Sequence, residues 1–191
     1  MDYRLHTAVH HGAVDPEQVF TELFSTSVRA FWVERRSRFS FLGDDTGPLT
    51  EFCGYDEGTG TVTVERAGCP VARLREDVNR YLGRRLAQRR CVPPHLPFGF
   101  VGGWVGSSAG EGWLFADRVV VVDRAGKAAY LLCLAENSAP AAADAAEWLE
   151  VTRSFLAALP MHETQVPSAP VRDRWLLRGQ DGDTVDLLSC H

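Results

Sequence analysis

Lysine is nearly absent from this chain: of its 20 basic residues, Lys127 alone is not arginine, a bias of coding composition rather than of function. Positive charge is not in excess either. The net charge is -5 over 191 residues and the arginines are dispersed among acids, so no basic face offers an electrostatic footprint for nucleic acid. No apolar run approaches the roughly 20 residues needed to cross a bilayer, and Met1 is not followed by a basic start and an apolar stretch. No membrane partner and a cytoplasmic location are therefore expected. The five cysteines, Cys53, Cys69, Cys91, Cys133 and Cys190, are an odd number and contain no CxxC pair, so free thiols in a reducing compartment are expected. A zinc site is not expected, since the only tight cluster of ligand-type residues is His10-His11.

Catalytic constellations are missing as well: the sequence shows no nucleophile with an adjacent base, no paired acids and no phosphate cradle. The glycine-rich stretch from Gly99 to Gly106 follows Pro97 and opens no helix, so it lacks the helix N-terminus that would receive a phosphate. Asp44-Asp45 lies in a Gly-Asp-Asp-Thr-Gly turn, where the carboxylates are expected to accept backbone hydrogen bonds rather than hold a cation. His95, between prolines, reads as a turn residue. No catalytic residue, metal ligand or cofactor is assigned to the chain.

What is present is the profile of a globular protein, 45% hydrophobic and 24% charged, able to bury roughly 70% of the surface its unfolded form exposes. Asp15-Pro16-Glu17 is an N-cap, a first-turn proline and an early acid, followed by Val19, Phe20, Leu23 and Phe24 at helical spacing; a helix is expected from about Pro16 to Phe24. Phe31 to Val33 and Phe39 to Leu42 are short strand candidates. Leu49 to Tyr55 and Thr61 to Glu65 flank a turn-rich stretch and form a predicted β-hairpin. Val71, Leu74, Val78, Tyr81, Leu82 and Leu86 predict a helix over Val71 to Arg90, its arginine-rich face solvated. Phe98 to Val105 is expected to be a strand.

A second hairpin is predicted from Arg118 to Asp123 and from Lys127 to Ala135, and its four-valine run implies burial on both faces. Pro140 to Leu159 predicts a helix presenting Trp148, Val151, Phe155 and Leu159. Helices and antiparallel hairpins in this order imply an α+β fold, with antiparallel β-sheets and flanking helices. The folded domain is expected to cover residues 1–160. Met161 to Pro170 reads as a linker, and residues 161–191 as a whole as linker and poorly ordered or weakly docked tail.

Glu34 stands out among the charges, lying between two apolar strand candidates with Arg29, Arg35, Arg36 and Arg38 nearby. Two readings are open: an ion pair at a strand end, or a carboxylate that fixes an arginine at the rim of a ligand pocket.

Six segments in order resemble one family. They are Ala13 to Phe20, Ala30-Phe-Trp-Val-Glu34, Arg38-Phe-Ser-Phe-Leu-Gly-Asp44 with Gly47-Pro48, the hairpin Tyr55 to Val64, Leu96-Pro-Phe-Gly-Phe-Val-Gly-Gly-Trp-Val-Gly106, and Trp113 to Asp123. Together they resemble the N-terminal domain of aminodeoxychorismate synthase component I, sister to anthranilate synthase component I, over about Tyr3 to Leu159. Tyr3-Arg-Leu-His6 is similar to the junction that follows the glutamine amidotransferase half of fused family members.

The resemblance implies half of an anthranilate synthase component I-like β-sandwich. It implies a place in amination of chorismate with glutamine-derived ammonia, on the way to 4-aminobenzoate and folate. In the family, chorismate and magnesium (Mg2+) bind in a C-terminal domain that supplies acidic ligands and a lysine nucleophile. The chain is expected to stop before that domain, and Lys127, just after a hairpin turn, matches none of its motifs. Expected partners are a glutamine amidotransferase subunit and a separate chorismate-binding half. The resemblance also implies one wall of a tryptophan-type pocket at Val33, Glu34, Arg35, Arg38, Phe39 and Ser40. Arg35 stands where a ligand-contacting serine is usual, the loop before Arg38 is shortened, and the segment at Ser107 to Glu111 is collapsed. The chain is thus expected to be a non-catalytic portion of the synthase; the alternatives are a free-standing amino-acid binding module and a remnant without function.

Overall fold

The computed structural model describes residues 2–35, 38–107, 112–159, 175–179 and 186–190. In chain order, β1 (Tyr3–His11) is followed by α1 (Pro16–Leu23), β2 (Arg29–Arg35), β3 (Phe39–Asp44), β4 (Glu51–Asp56), β5 (Thr61–Arg66) and β6 (Cys69–Arg75). Then come α2 (Val78–Gln88), β7 (Gly103–Gly106), β8 (Trp113–Ala116), β9 (Arg118–Asp123) and β10 (Ala128–Glu136). The helix α3 (Ala139–Ala158) and the short strands β11 (Trp175–Gly179) and β12 (Asp186–Ser189) complete the order. The first sheet runs β1-β10-β9-β3-β2-β11 and the second β12-β7-β8-β4-β5-β6. The pairs are antiparallel except for β11, which joins β2 in parallel. The α+β expectation holds.

The first sheet is apolar on both faces. Val119 and Val121 of β9 join the core shared with the second sheet, whereas Val120 and Val122 face the core under the helices. All four are at most 1% exposed, as the valine run implied. Strand alternation sorts the neighbours in the same way: Phe31, Val33, Phe39 and Phe41 point inward, while Ala30 and Leu42 point to the helix side. Val19 and Phe20 of α1 and Leu149 and Leu156 of α3 close that outer layer.

Local chemistry sets the helix starts. The Asp15 side chain accepts the Glu17 N–H at 2.9 Å, with Pro16 in the first turn of α1. In α3 the buried stripe is Ala145, Leu149, Thr152 and Leu156, one position away from the expected Trp148, Val151, Phe155 and Leu159. Val151 is 63% exposed. Trp148 and Leu159 of the expected face are half-buried and still pack against the core under the helices.

Three segments differ from expectation. The helix expected over Val71 to Arg90 begins only at Val78, because Asp77 caps it by accepting the Arg80 N–H at 3.0 Å; Cys69–Arg75 instead pairs with β5 as an edge strand. The strand expected over Phe98 to Val105 starts at Gly103, and Phe98 and Phe100 belong to the preceding loop. The described part of the segment expected to be a linker and tail supplies β11 and β12, one strand to each sheet, and Cys190 is 1% exposed. Unpaired edges on β2 and β7 offered hydrogen bonds that this segment takes up. Met161 to Pro170, Arg36 and most of the stretch from Ser107 to Glu111 lie outside the described residues.

The turn after β3 shows why its motif needs glycine. Asp44 accepts hydrogen bonds from the Thr46 N–H at 3.1 Å and the Thr46 hydroxyl at 2.7 Å, as expected of a turn carboxylate. The buried Asp117 then reaches under the turn to accept the Leu49 N–H and the Thr50 hydroxyl, both at 2.9 Å. A Cβ at Gly47 would lie 1.9 Å from its carboxylate oxygen.

Gly103 marks the docking of β12: a Cβ there would sit 2.0 Å from the Leu188 carbonyl oxygen, at a φ of +137 that side chains rarely adopt. Gly103→Ala is therefore expected to cost about 1–3 kcal/mol in urea unfolding. Hydrogen exchange should accelerate first at Cys190, whose N–H donates to the Gly102 carbonyl at 3.0 Å. An unchanged midpoint would rule out this account of β12 docking.

Candidate functional site

The six residues expected to form a pocket wall fall into three settings. Val33, Arg35 and Phe39 lie on the inner face of the first sheet, Val33 fully buried. Glu34 and Ser40 are directly paired across β2 and β3, on the helix side. Glu34 ion-pairs with Arg124, the arrangement expected of a strand-end charge. The Ser40 hydroxyl is buried without a hydrogen-bond partner. Arg38 donates to both Asp123 oxygens, at 2.9 and 2.8 Å, and its guanidinium lies 4.6 Å from the Phe39 ring centre. Those hydrogen bonds hold the Asp123 carboxyl below the usual carboxylate range. Two of the six, Arg35 and Phe39, line a cavity.

That cavity has a volume of about 770 Å³. This is within the range of small-molecule sites. Phe39 and Phe41 supply the sheet side, and Phe98 and Phe100 of the loop before β7 cover them. The rings pack edge to face: Phe39 on Phe98 at 5.4 Å, Phe41 on Phe98 at 5.6 Å and Phe41 on Phe100 at 5.8 Å. Phe98 also meets Tyr130 of β10 at 5.3 Å. Each such contact adds about 0.5–1.5 kcal/mol beyond area burial, so the aromatic wall is rigid. Leu86 of α2 and Leu187, Leu188 and Ser189 of β12 form the remaining side. The Ser189 hydroxyl accepts the Val101 N–H at 3.2 Å, tying strand to loop.

Next to this cavity lies an ion cluster that the sequence did not reveal. Glu51 of β4 is 1% exposed and accepts hydrogen bonds from Arg66 of β5 at 2.5 Å, from Arg85 Nε of α2 at 3.1 Å and from Arg89 at 2.8 Å. The Tyr81 hydroxyl donates at 3.4 Å to Oε2, the oxygen that also accepts from Arg85 Nε. Arg89 is 4% exposed, stacks 4.1 Å from the Phe115 ring centre and has an Nη1 with no partner. The arginine face of α2 is thus partly turned inward, correcting the expectation of a solvated surface. Burial alone would raise the Glu51 pKa, but the hydrogen bonds from Arg85 and Arg66 and the charge of Arg89 outweigh it and hold the carboxyl below its usual range.

Among the described residues, no group of three His, Cys, Asp or Glu side chains could hold a metal ion, and no helix is long and apolar enough to cross a membrane. All five cysteines are free; burial pushes the Cys53 and Cys190 thiols up to about 12, far from thiolate chemistry at neutral pH.

Fold and site together define an α+β module of two face-to-face sheets with an aromatic cavity at one end. No family model matches the chain. The aminodeoxychorismate synthase of Streptomyces griseus is 33% identical, over 82% of this chain and 25% of that protein. That of Streptomyces pristinaespiralis is 30% identical, over 91% of this chain and 28% of that protein. The chain belongs to the aminodeoxychorismate synthase family. It spans about a quarter of the length of the curated relatives it matches.

Glu51→Gln should leave Arg66, Arg85 and Arg89 without their counter-charge and cost about 3–5 kcal/mol at pH 7, read by urea unfolding. Because the folded pKa is depressed, the carboxylate's contribution is fully present above the unfolded value near 4.3 and is lost as pH falls through the lower folded value. The gap between wild type and variant should therefore narrow below about pH 4. A gap that is constant from pH 7 to 3 would show that Glu51 charge does not stabilise the fold.

Proposed function

We propose that the chain is the N-terminal sandwich of an aminodeoxychorismate synthase component I, serving chorismate amination in 4-aminobenzoate and folate formation without itself carrying the chemistry. The supporting observation is the match across 82–91% of this chain to about a quarter of two synthases. In this reading, glutamine-derived ammonia comes from an amidotransferase partner, and chorismate binds to a separate catalytic portion. In the same reading, magnesium is held by that portion. This chain would supply sheet edges and a rigid core against which that portion folds. Purified chain given chorismate, magnesium and ammonia should form no aminodeoxychorismate, and addition of a chorismate-binding portion from the family should restore product. Turnover by the chain alone would overturn the proposal.

The cavity favours a second role compatible with the first: binding of a small aromatic ligand of tryptophan type, with Arg35 and Phe39 among the contacts. Arg35 in place of a small hydroxyl changes what such a site would prefer.

A further inference from the structure

We propose that Cys91 and Cys190 are a modification site: oxidised by a hydroperoxide, they join in a reversible disulfide that latches β12 to the loop after α2. This goes beyond the function proposed above and stands whether or not that reading does.

The backbone sets the two residues side by side. The Cys91 N–H donates to the Cys190 carbonyl at 3.0 Å, and the Cys190 N–H donates to the Gly102 carbonyl at 3.0 Å, so Cys190 is held between the loop after α2 and the lead-in to β7. Residues bonded in this way across extended segments have Cα atoms about 5.5 Å apart, inside the window of roughly 4.4–6.8 Å that a disulfide spans. The side chains are neighbours as well, because the charge of Cys91 acts on the Cys190 thiol. Both thiols are free, with Cys91 8% and Cys190 1% exposed. The other three cysteines are apart from one another: Cys53 belongs to the core between the sheets, Cys133 to the core under the helices, and Cys69 is exposed on β6.

Arg89 supplies a second observation. Its guanidinium is 4% exposed, keeps Nη1 without a partner, and acts electrostatically on Cys190 against the effect of burial. An oxygen or negative charge on the Cys190 sulfur would give that nitrogen the acceptor it lacks.

The chemistry runs in two steps. With β12 transiently undocked, the Cys190 thiolate attacks one peroxide oxygen, the O–O bond breaks, and the other oxygen leaves as water with the thiol proton, giving a sulfenic acid. When β12 redocks, the Cys91 sulfur attacks the Cys190 sulfur, the S–O bond breaks, and hydroxide leaves as water with the Cys91 proton. Two thiols are oxidised to one disulfide, and one hydrogen peroxide is reduced to two waters. Burial keeps the docked thiols unreactive, so opening of this edge strand gates the reaction. The closed loop of about 100 residues makes the bond a strong constraint on the unfolded chain.

The test uses the whole chain carrying Cys69→Ser, which removes the exposed thiol, treated with hydrogen peroxide and mapped by mass spectrometry. One intramolecular bond between Cys91 and Cys190 should form with loss of two hydrogens, and dithiothreitol should restore both thiols. The oxidised chain should melt roughly 5–15 °C higher than the reduced one. Amide exchange at Cys190 should slow by about tenfold or more. Gly103→Ala, which loosens β12, should speed oxidation by roughly fivefold or more. Cys91→Ala should stop the reaction at a Cys190 sulfenic acid that dimedone traps. Cys91 and Cys190 both still free after peroxide, or either one joined to a different cysteine, would overturn the pairing. A bond that leaves melting and exchange unchanged would overturn the latch, and oxidation no faster in Gly103→Ala would overturn opening as its gate.

Discussion

The constraint on which this structure depends is that its first sheet must be apolar on both faces. Val119 to Val122 sit near the middle of that sheet and face two different cores in alternation. A strand that buries every side chain cannot lie at an edge or face water, so β1, β10, β3 and β2 are required around it, α1 and α3 above it and the second sheet below it. At about 25 cal/mol per Å² of apolar surface, leaving either face open would forfeit several buried valines, leucines and phenylalanines at once. The paired helices and the opposing sheet are therefore consequences of one strand's composition.

The second sheet obeys a different rule, since it places a carboxylate at the heart of an otherwise apolar layer. Glu51 is buried because α2 delivers Arg85 and Arg89 one turn apart on a single helix face, and β5 delivers Arg66 from the adjacent strand. Isolated, that carboxylate would be too costly to bury; surrounded, it fixes where α2 lies on the sheet. Arg89 adds a cation–π contact with Phe115 and still keeps one nitrogen without a partner. The cluster is positionally specific, with three guanidiniums converging on one carboxylate.

Much of the fold was legible because its signals were local. The α1 cap, the β4-β5 hairpin and the valine strand each carry their instructions within one short contiguous segment. Where a signal depended on a distant partner, the reading slipped. Val71 and Leu74 have helical spacing with Val78, but β5 competed for their backbone and Asp77 set the later start. In α3 the bulky residues marked the flank of the buried face: Trp148 and Leu159 pack against the core, while Ala145, Leu149, Thr152 and Leu156 form its centre. Leu187 and Leu188 looked like tail because the edge of β7 that they join is more than eighty residues away in sequence.

The candidate site shows the same division, and the period of a strand explains it. Val33, Glu34, Arg35 and Phe39, Ser40 are neighbours in sequence, yet alternation sends every second side chain to the helix side. A contiguous motif can thus name a family correctly while its side chains divide between the two faces of a sheet. Arg35 and Phe39 survive as cavity residues because they share a face; Glu34 and Ser40 are separated from them by the sheet itself. The rest of the cavity comes from Phe98, Phe100 and β12, brought together only after both sheets have formed. A ligand held there would touch a strand, a loop and an edge strand from separate parts of the chain. Its binding would consequently report on the integrity of the whole sandwich.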